Sequence, residues 1–313
     1  MSGAAIRTEA LTRRFGSLVA VDAIEYEVPV GAVSALIGPN GAGKTTLLSM
    51  LCGWLKPSKG GGDVLGARLG DTSALKGRLG VYPQDASLQP RRKVVHQLAL
   101  WGELSGMGRD EALSSARSSL SRVGLADKAD HPAGTLSHGM ARRAGIAAAL
   151  LGKPDLLLLD EPTAGLDPRA AHDVREILAG LRGTATVVVS SHNLSELQSI
   201  CSHATILDHG RIVAQGSLDE LTRAGAEVCI QLAQSARDPD LASLRQLARV
   251  RAVELTKGVL TVRFDASEEV PVEEPLAEVL KALLGSGSLV AEVRRGRSLE
   301  QRFLELTGGA SRS

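Results

Sequence analysis

A glycine-rich segment that ends in a lysine and a threonine is the part of the sequence best suited to chemistry. Residues 38–45 read GPNGAGKT and match the pattern G-x-x-x-x-G-K-S/T at every fixed position. Glycines let several backbone N–H groups converge on one anion, and a helix that begins near Lys44 adds the positive end of its dipole. Lys44 can reach terminal phosphates, and the Thr45 hydroxyl can ligate Mg²⁺. The segment therefore predicts a nucleotide-binding loop formed by Gly38, Pro39, Asn40, Gly41, Ala42, Gly43, Lys44, Thr45 and Thr46.

Two adjacent carboxylates follow a purely apolar run farther along the chain. Leu156–Leu159 leads directly into Asp160 and Glu161. Such a run is typical of a buried strand, and the C-terminal ends of strands are where open α/β sheets place their ligands. Asp160 is predicted to orient Mg²⁺ through a water molecule. Glu161, one residue beyond the metal carboxylate, is predicted to be the general base for the attacking water.

The elements that must position these side chains alternate between strands and helices over the first two-thirds of the sequence, which predicts an α/β fold. Predicted strands are Val33–Ile37, Arg78–Tyr82, Leu156–Asp160, Thr186–Ser190, Ala204–Leu207 and Arg211–Ala214, the last two joined as a hairpin by His209-Gly210. Predicted helices are Thr45–Cys52 before Gly53, Val94–Leu104, Asp110–Val123, a helix that Ser137 caps and that runs to Leu151, and one that Asp167 caps and that runs towards Leu181.

Composition changes after about Leu221, where a small α+β domain is predicted. Its predicted strands are Glu227–Leu232, Arg251–Leu255, Val259–Phe264 and Leu289–Arg295, and its predicted helices are Leu241–Leu247, Leu276–Leu284 and Leu299–Leu306. The order β-α-β-β-α-β is the split β-α-β pattern of ferredoxin-like domains.

Composition and charge exclude several classes of protein. A formal net charge of +1 leaves no polybasic field for nucleic acid. Cys52, Cys201 and Cys229 are odd in number and far apart, which indicates free thiols in a reducing compartment. The first residues lack the basic and apolar regions of a signal peptide, and no apolar run is long enough for a membrane span. We therefore expect a cytoplasmic chain that acts on a membrane only through a partner.

A short segment upstream of the acidic strand resembles the signature motif of the ABC (ATP-binding cassette) ATPases. Leu136-Ser137-His138-Gly139-Met140 is similar to the family's Leu-Ser-Gly-Gly-Gln. The resemblance implies that Ser137, the backbone at Gly139 and the N-terminus of the following helix contact a nucleotide. His138 and Met140 depart from the family's common glycine and glutamine. These departures leave open the fine positioning of the motif, but not the binding of ATP.

The other landmarks of that family follow in order. Phe15 lies where the family has an aromatic residue that stacks on adenine, and Gln84 matches the Q-loop glutamine. Asp167, in DEPTAGLDP, matches the D-loop aspartate, and His192, in SSHNLSE, matches the switch histidine that acts beside Glu161 in catalysis. The resemblance implies ATP and Mg²⁺ as cofactors, with metal ligands at Thr45, Gln84 and Asp160. The histidines without such a pattern are expected at the surface: His96, His131, His172, His203 and His209.

The resemblance covers residues 6–220 nearly continuously and implies a domain organisation. Residues 1–220 are expected to form a P-loop NTPase cassette of the ABC type, whose helical subdomain at about 94–130 docks on a membrane permease. Residues 221–313 are expected to form an accessory domain. Within them, 297–309 read RSLEQRFLELTGG, which is similar to the ending of ATPases from the type-2 exporter group.

The family resemblance also implies a mechanism and partners. Two ATP-binding subunits, identical or different, are expected to close head to tail around two ATP molecules. Hydrolysis and product release would then open the dimer and drive a separate integral-membrane permease at the inner face of the cell membrane. No nucleic acid is expected as a partner.

Other functions stay open from the sequence. The chain could serve an importer, or it could be a soluble ABC ATPase that works on ribosomes or DNA. DNA-repair types insert a long coiled coil before the signature, and the about 90 residues between Lys44 and Ser137 leave no room for one. A regulatory module without catalysis is disfavoured by Glu161 and His192. The transported substrate is not encoded in any motif of this chain.

Overall fold

The computed structural model of the 313-residue chain describes residues 3–192, 197–222, 227–233, 239–256, 258–265 and 273–295. By its internal contacts the chain divides into two compact units, Met1–Ser217 and Leu218–Ser313. None of the helices in the described ranges has the length and apolar content that a membrane span requires.

A mostly parallel sheet forms the centre of the first unit. Within the described residues its strands are β4 (Val33–Ile37), β7 (Leu79–Tyr82), β8 (Leu156–Leu159), β9 (Thr186–Ser191), β10 (His203–Asp208) and β11 (Arg211–Ser217), in the order β11-β10-β4-β9-β8-β7. Only the edge strand β11 is antiparallel to its neighbour. Strands β4, β8 and β9 are buried along their whole length, as largely apolar runs predict. The predicted strands and the predicted hairpin are therefore confirmed.

A second, antiparallel sheet lies in the first 70 residues and was missed by the sequence analysis. It contains β1 (Ala4–Phe15), β2 (Leu18–Ile24), β3 (Glu27–Pro29), β5 (Lys59–Val64) and β6 (Ala67–Arg68). Strand β5 reads KGGGDV, which has none of the alternation expected of a strand. Gly60 has a φ of 76°, and a Cβ atom there would lie 2.2 Å from the carbonyl oxygen of Ala10. The strands approach too closely at this point for any side chain, so glycine is required here. The same glycine removes the alternation of polar and apolar residues by which a strand is recognised.

The five helices predicted for the first unit are confirmed, and the two with predicted caps begin directly after Ser137 and Asp167. The five helices are α1 (Lys44–Leu51), α2 (Val94–Leu104), α3 (Arg109–Arg122), α4 (His138–Ala149) and α5 (Pro168–Ala179). Ser137 accepts a hydrogen bond from the Met140 N–H, and Asp167 accepts from Arg169 and Ala170. Helix α1 is buried in one apolar core shared by both sheets, with Leu47, Leu51, Leu11 of β1 and Leu36 of β4 among its members.

The three cysteines form no disulfide, as predicted, and all three are buried. Burial raises the pKa of Cys52 to about 11 and the pKa of Cys201 to about 12. These thiols therefore stay protonated at neutral pH, and protonated thiols are poor nucleophiles and metal ligands.

The second unit has the predicted split β-α-β topology. Its described elements are α6 (Leu218–Thr222), β12 (Glu227–Leu232), α7 (Leu241–Arg245), β13 (Val250–Thr256), β14 (Val259–Phe264), α8 (Glu273–Gly285) and β15 (Val290–Arg295). The sheet order is β13-β14-β12-β15 and every pairing is antiparallel. Both the helix predicted at Leu299–Leu306 and the exporter-like motif at 297–309 lie outside the described residues.

The core of the second unit generates a first prediction. Leu260 is fully buried among Val228, Ile230, Val262 and Phe264. Leu260→Ala should lower the free energy of unfolding of this unit by about 2–5 kcal/mol, because it removes buried methyl groups and leaves a cavity. Denaturant titration of the full chain measures the loss.

Two controls accompany that measurement. Leu260→Met keeps the volume and should cost less than about 1.5 kcal/mol. Nucleotide affinity should stay at the wild-type value in both variants, because the residues of the phosphate-binding loop belong to the other unit. Loss of nucleotide binding in Leu260→Ala would contradict the assignment of this core to a separate unit.

Candidate functional site

The phosphate-binding loop joins β4 to α1 and is packed tightly against its neighbours. A Cβ atom at Gly38 would lie 2.3 Å from the carbonyl oxygen of Leu207, and one at Gly43 would lie 2.4 Å from that of Ala20. Gly43 also has a φ of 106° as the residue that precedes the helix. Both glycines are thus required by the loop's shape, and the N–H groups of the first turn of α1 face the loop.

The Lys44 ammonium lies over this loop. Its Nζ atom donates to the carbonyl oxygens of Gly38 at 2.8 Å and Pro39 at 3.2 Å. The same atom is 3.3 Å from Oε1 of Glu161, and both side chains are more than nine-tenths buried. The structure therefore brings the predicted phosphate-binding lysine and the predicted general base into direct contact.

Ser190, to which the sequence patterns assign no role, contacts both acidic residues at the end of β8. Ser190, fully buried in β9, donates its hydroxyl hydrogen to Asp160 and accepts the Glu161 N–H at 2.8 Å. Glu161 has a φ of 49°, a strained backbone conformation for a residue with a side chain. Ser190 precedes His192 by two residues in SSHNLSE, but its pairing with β8 is a long-range contact that no local pattern reveals.

His192 completes the surroundings of Glu161. Its Nδ1 atom is 2.9 Å from Oε2 of Glu161, whereas Lys44 contacts the other carboxylate oxygen. The His192 side chain is about half exposed. One carboxylate thus links the phosphate-binding loop to the end of β9.

A cavity of about 620 Å³ opens in front of these groups. Its lining residues are Phe15, Leu18, Val19, Ala20, Asn40, Gly41, Gly43, Lys44, Thr45, Thr46, Gln84, Glu161, His209 and Gly210. The guanidinium of Arg13 lies 4.6 Å from the centroid of the Phe15 ring, and Phe15 remains 45% exposed. An aromatic ring that is stacked and still exposed suits a planar base. His209 is exposed as expected, but it also lines this cavity, which its sequence context did not indicate.

The three predicted metal ligands share a smaller cavity. Thr45, Gln84 and Asp160 all line a space of about 190 Å³ beside the loop. A hydroxyl, an amide oxygen and a carboxylate are the hard oxygen donors that Mg²⁺ prefers, and Mg²⁺ usually keeps waters and substrate phosphates as its other ligands. The described residues contain no cluster of three or more His, Cys, Asp or Glu that could hold a metal. The donor set fits a magnesium ion that phosphates help to hold.

The predicted signature and D-loop residues do not line the nucleotide cavity of their own chain. Ser137 and Asp167 are exposed helix caps. A Cβ atom at Gly139 would lie 2.9 Å from that of Ala170, so this glycine lets α4 approach α5. His138 is exposed, and the common motif residue it replaces is not needed for the cap.

Comparison with known proteins identifies the family to which this site belongs. Residues 21–164 match the family model described as ABC transporter. The linearmycin resistance ATP-binding protein LnrL of Bacillus subtilis (strain 168) is 34% identical over 311 residues, which cover 97% of this chain and 98% of that protein. The chain belongs to the ABC transporter family.

Other comparisons agree on the cassette. The Nod factor export ATP-binding protein I of Cupriavidus metallidurans is 34% identical to this ABC protein, covering 94% of each chain. The structure of an ABC transporter's ATP-binding cassette in its ADP conformation superposes with a TM-score of 0.62 at 26% identity, covering 70% of this chain and 93% of that one. The protein is an ATP-binding, ATP-hydrolysing subunit of the exporter type, and the predicted cassette fold is confirmed.

Ser190 generates a prediction for this ABC protein. Ser190→Ala leaves the buried Glu161 N–H without an acceptor, which should lower the free energy of unfolding by about 1–3 kcal/mol. Because Asp160 and Glu161 lose their common anchor, kcat for ATP should fall roughly 10- to 100-fold. Ser190→Thr keeps the hydroxyl and should restore most of the activity.

The matched control lies at the other end of the same strand. Thr186 accepts the Gly31 N–H at 2.9 Å and is also buried. Thr186→Val should cost similar stability in denaturant titration while steady-state ATP hydrolysis stays near wild type. Full activity in Ser190→Ala would refute the anchoring of the two carboxylates.

Proposed function

We propose that this chain is the energy-supplying subunit of an exporter, in which ATP-dependent pairing of two cassettes drives a separate membrane permease. The observation that carries the proposal is the single carboxylate of Glu161, which contacts Lys44 and His192 at the mouth of the nucleotide cavity. These are the groups needed to hold a terminal phosphate and to activate water beside it. We place the chain on the cytoplasmic face of the cell membrane, held there by the permease.

Each residue of the site has a separate role in hydrolysis. Lys44 exchanges the carbonyls of Gly38 and Pro39 for phosphate oxygens, and this exchange separates it from Glu161. The freed Glu161 carboxylate accepts a proton from the attacking water, while His192 holds it in place. Thr45, Gln84 and Asp160 would hold Mg²⁺, which supplies positive charge against the phosphate oxygens. Phe15 stacks on the base.

A second cassette completes the site. Ser137 caps a helix whose N-terminus is exposed and therefore offers free N–H groups and a positive dipole end to an anion on another molecule. We assign Ser137, the Gly139 backbone and Asp167 to the facing nucleotide of the partner. The partner is a second copy of this chain or a related subunit, and in either case ATP joins the two surfaces.

A groove in the same unit suits the permease. It has a volume of about 460 Å³ and is lined mainly by apolar side chains, among them Trp54, Trp101, Tyr82, Met107 and Leu151. Trp54 and Trp101 in this groove are 62% and 37% exposed, and Leu104, which precedes the lining residue Ser105, is 69% exposed. Large apolar side chains exposed together mark an interaction site. We propose that a short helix from a cytoplasmic loop of the permease occupies this groove.

The cargo is selected by the permease. The chain is 34% identical both to a protein named for resistance to linearmycin and to one named for export of Nod factor. The equal similarity to proteins with such different names supports the proposal that the cassette does not read the cargo.

The role of Glu161 is tested by Glu161→Gln. This change keeps the shape of the side chain but removes the base, so kcat should fall by about 100-fold or more. ATP binding and ATP-dependent pairing should persist, as measured with labelled nucleotide and by light scattering with MgATP. Glu176→Gln, an exposed glutamate on α5, is the control and should behave as wild type. Unchanged turnover in Glu161→Gln would remove this residue from catalysis.

The docking groove is tested by photo-crosslinking in native membranes. A photoreactive residue in place of Leu104 should form an adduct with a multi-span membrane protein, because that side chain is exposed beside the groove. Val213 on β11, at the opposite edge of the sheet from β7, is 38% exposed and provides the control position. Equal adducts at both positions, or none at Leu104, would contradict docking at this groove.

A further inference from the structure

Arg142 connects three segments that the proposed mechanism treats separately. It lies in α4, five residues after the cap Ser137. Its Nη1 atom donates to the Tyr82 hydroxyl at 2.7 Å and to the Gln84 carbonyl oxygen at 3.1 Å. Its Nη2 atom donates to the carbonyl oxygen of Ala164 at 3.5 Å. One guanidinium thus bridges the end of β7, the segment after β8, and the signature helix.

Tyr82 is held against the same helix in two ways. A Cβ atom at Gly145 would lie 2.4 Å from Cε2 of Tyr82, so the ring rests directly on the backbone of α4. The guanidinium of Arg142 lies 5.9 Å from the centroid of that ring and contacts its hydroxyl. The ring and the hydroxyl are thus fixed to one helix, and the backbone that leads to Gln84 is fixed with them.

The bridged residues separate two cavities. Tyr82 lines the apolar groove, whereas Gln84, two residues later, lines the nucleotide cavity. Ala164 precedes Asp167 by three residues. We propose that Arg142 is a positioning residue for Gln84: it transmits a nucleotide-dependent movement of Gln84 to the groove and to the signature helix. The proposal rests on the proposed function, in which the groove binds the permease and the signature helix contacts the partner's nucleotide.

The hydrogen bonds of Arg142 suit a contact that must rearrange. Among the residues that the structure describes, no carboxylate pairs with Arg142, and its buried Nε atom has no hydrogen-bond acceptor. The guanidinium is held by two carbonyls and a phenol. It can therefore change acceptors without separating an ion pair, whereas its unsatisfied N–H detracts from stability. The buried Nε of Arg143 also has no acceptor, so the feature that distinguishes Arg142 is its set of neutral acceptors on two other segments.

The next residue of the helix provides a matched control. Arg143 donates to the carbonyl oxygen of Val123 at 3.2 Å and lies 3.9 Å from Asp173. It carries the same charge on the same helix, but its partners belong to the end of α3 and to α5. A change there should leave the contacts of Arg142 intact.

The fluorescence of the chain's own tryptophans can report on the groove. It has two tryptophans, Trp54 and Trp101, and both line this groove. Purified full-length chain, titrated with the slowly hydrolysed nucleotide MgATPγS, should show a saturable change in tryptophan emission. Arg142→Gln and Tyr82→Phe should bind this nucleotide within about threefold of the wild-type affinity, but lose about half or more of the change in emission. Arg143→Gln should keep the full change.

Kinetics provide a second measurement. Because Arg142 acts through Gln84 and not on the bound nucleotide, Arg142→Gln should lower kcat for ATP by about 10-fold with KM within about twofold of wild type. Arg142 and Tyr82 share one hydrogen bond, so the double variant should be no worse than Arg142→Gln alone. A merely structural role predicts instead a lower melting temperature in each variant with an undiminished change in emission.

Two results would overturn the proposal. One is that the tryptophan emission of the wild type does not change when the nucleotide binds. The other is that both Arg142→Gln and Tyr82→Phe keep the full change in emission. Should Arg142→Gln fail to fold, Tyr82→Phe decides, because it removes one hydroxyl and keeps the ring on Gly145. Absence of ATP hydrolysis by the wild type together with its partner cassette and permease would refute the proposed function, while the emission change of the purified chain would still test this contact.

Discussion

A buried lysine and a buried glutamate face each other across the phosphate-binding loop, and the rest of the site depends on this contact. Lys44 and Glu161 are both more than nine-tenths buried, so each charge is compensated mainly by the other. Removing either partner would strand a charge in a low-dielectric site, which is strongly unfavourable. A nucleotide can exchange partners with them, because its phosphates give Lys44 new negative charge at the moment Glu161 is released. In the proposed mechanism, the pair thus links nucleotide binding to readiness for catalysis.

The parallel sheet makes this contact possible. Strands β4 and β8 are paired with β9 between them, so the loop after β4 and the carboxylates after β8 emerge at one edge. Glu161 then turns back with a positive φ, and Ser190 of the intervening strand secures its N–H and the neighbouring Asp160. The strained backbone is retained because its N–H is satisfied by a fully buried hydroxyl. Catalytic geometry here is a property of three adjacent strand ends.

Local patterns predict the parallel sheet, its helices and the residues proposed for the site, whereas they do not predict the long-range contacts. The phosphate-binding loop, the caps at Ser137 and Asp167 and the buried strands follow from adjacent residues. Strand β5 escaped prediction because close approach to β1 requires glycines that erase the strand pattern. Ser190 and Arg142 act across 29 and 60 residues of sequence, and nothing in their neighbours specifies those partners. His209 lines the nucleotide cavity, and its neighbours in the sequence do not specify that position either.

The separation of Ser137 from the cavity of its own chain constrains how the protein can work. Glu161 and His192 are already in contact at 2.9 Å, so the catalytic pair does not wait for nucleotide to assemble. In the proposed mechanism, the missing element is a donor of N–H groups to the far side of the terminal phosphate. If a partner cassette supplies it, hydrolysis is confined to the closed pair and ATP is not consumed by single chains. On this proposal, a chain that hydrolysed ATP before pairing would spend the nucleotide without moving a permease, and the exposed position of the signature helix would prevent this.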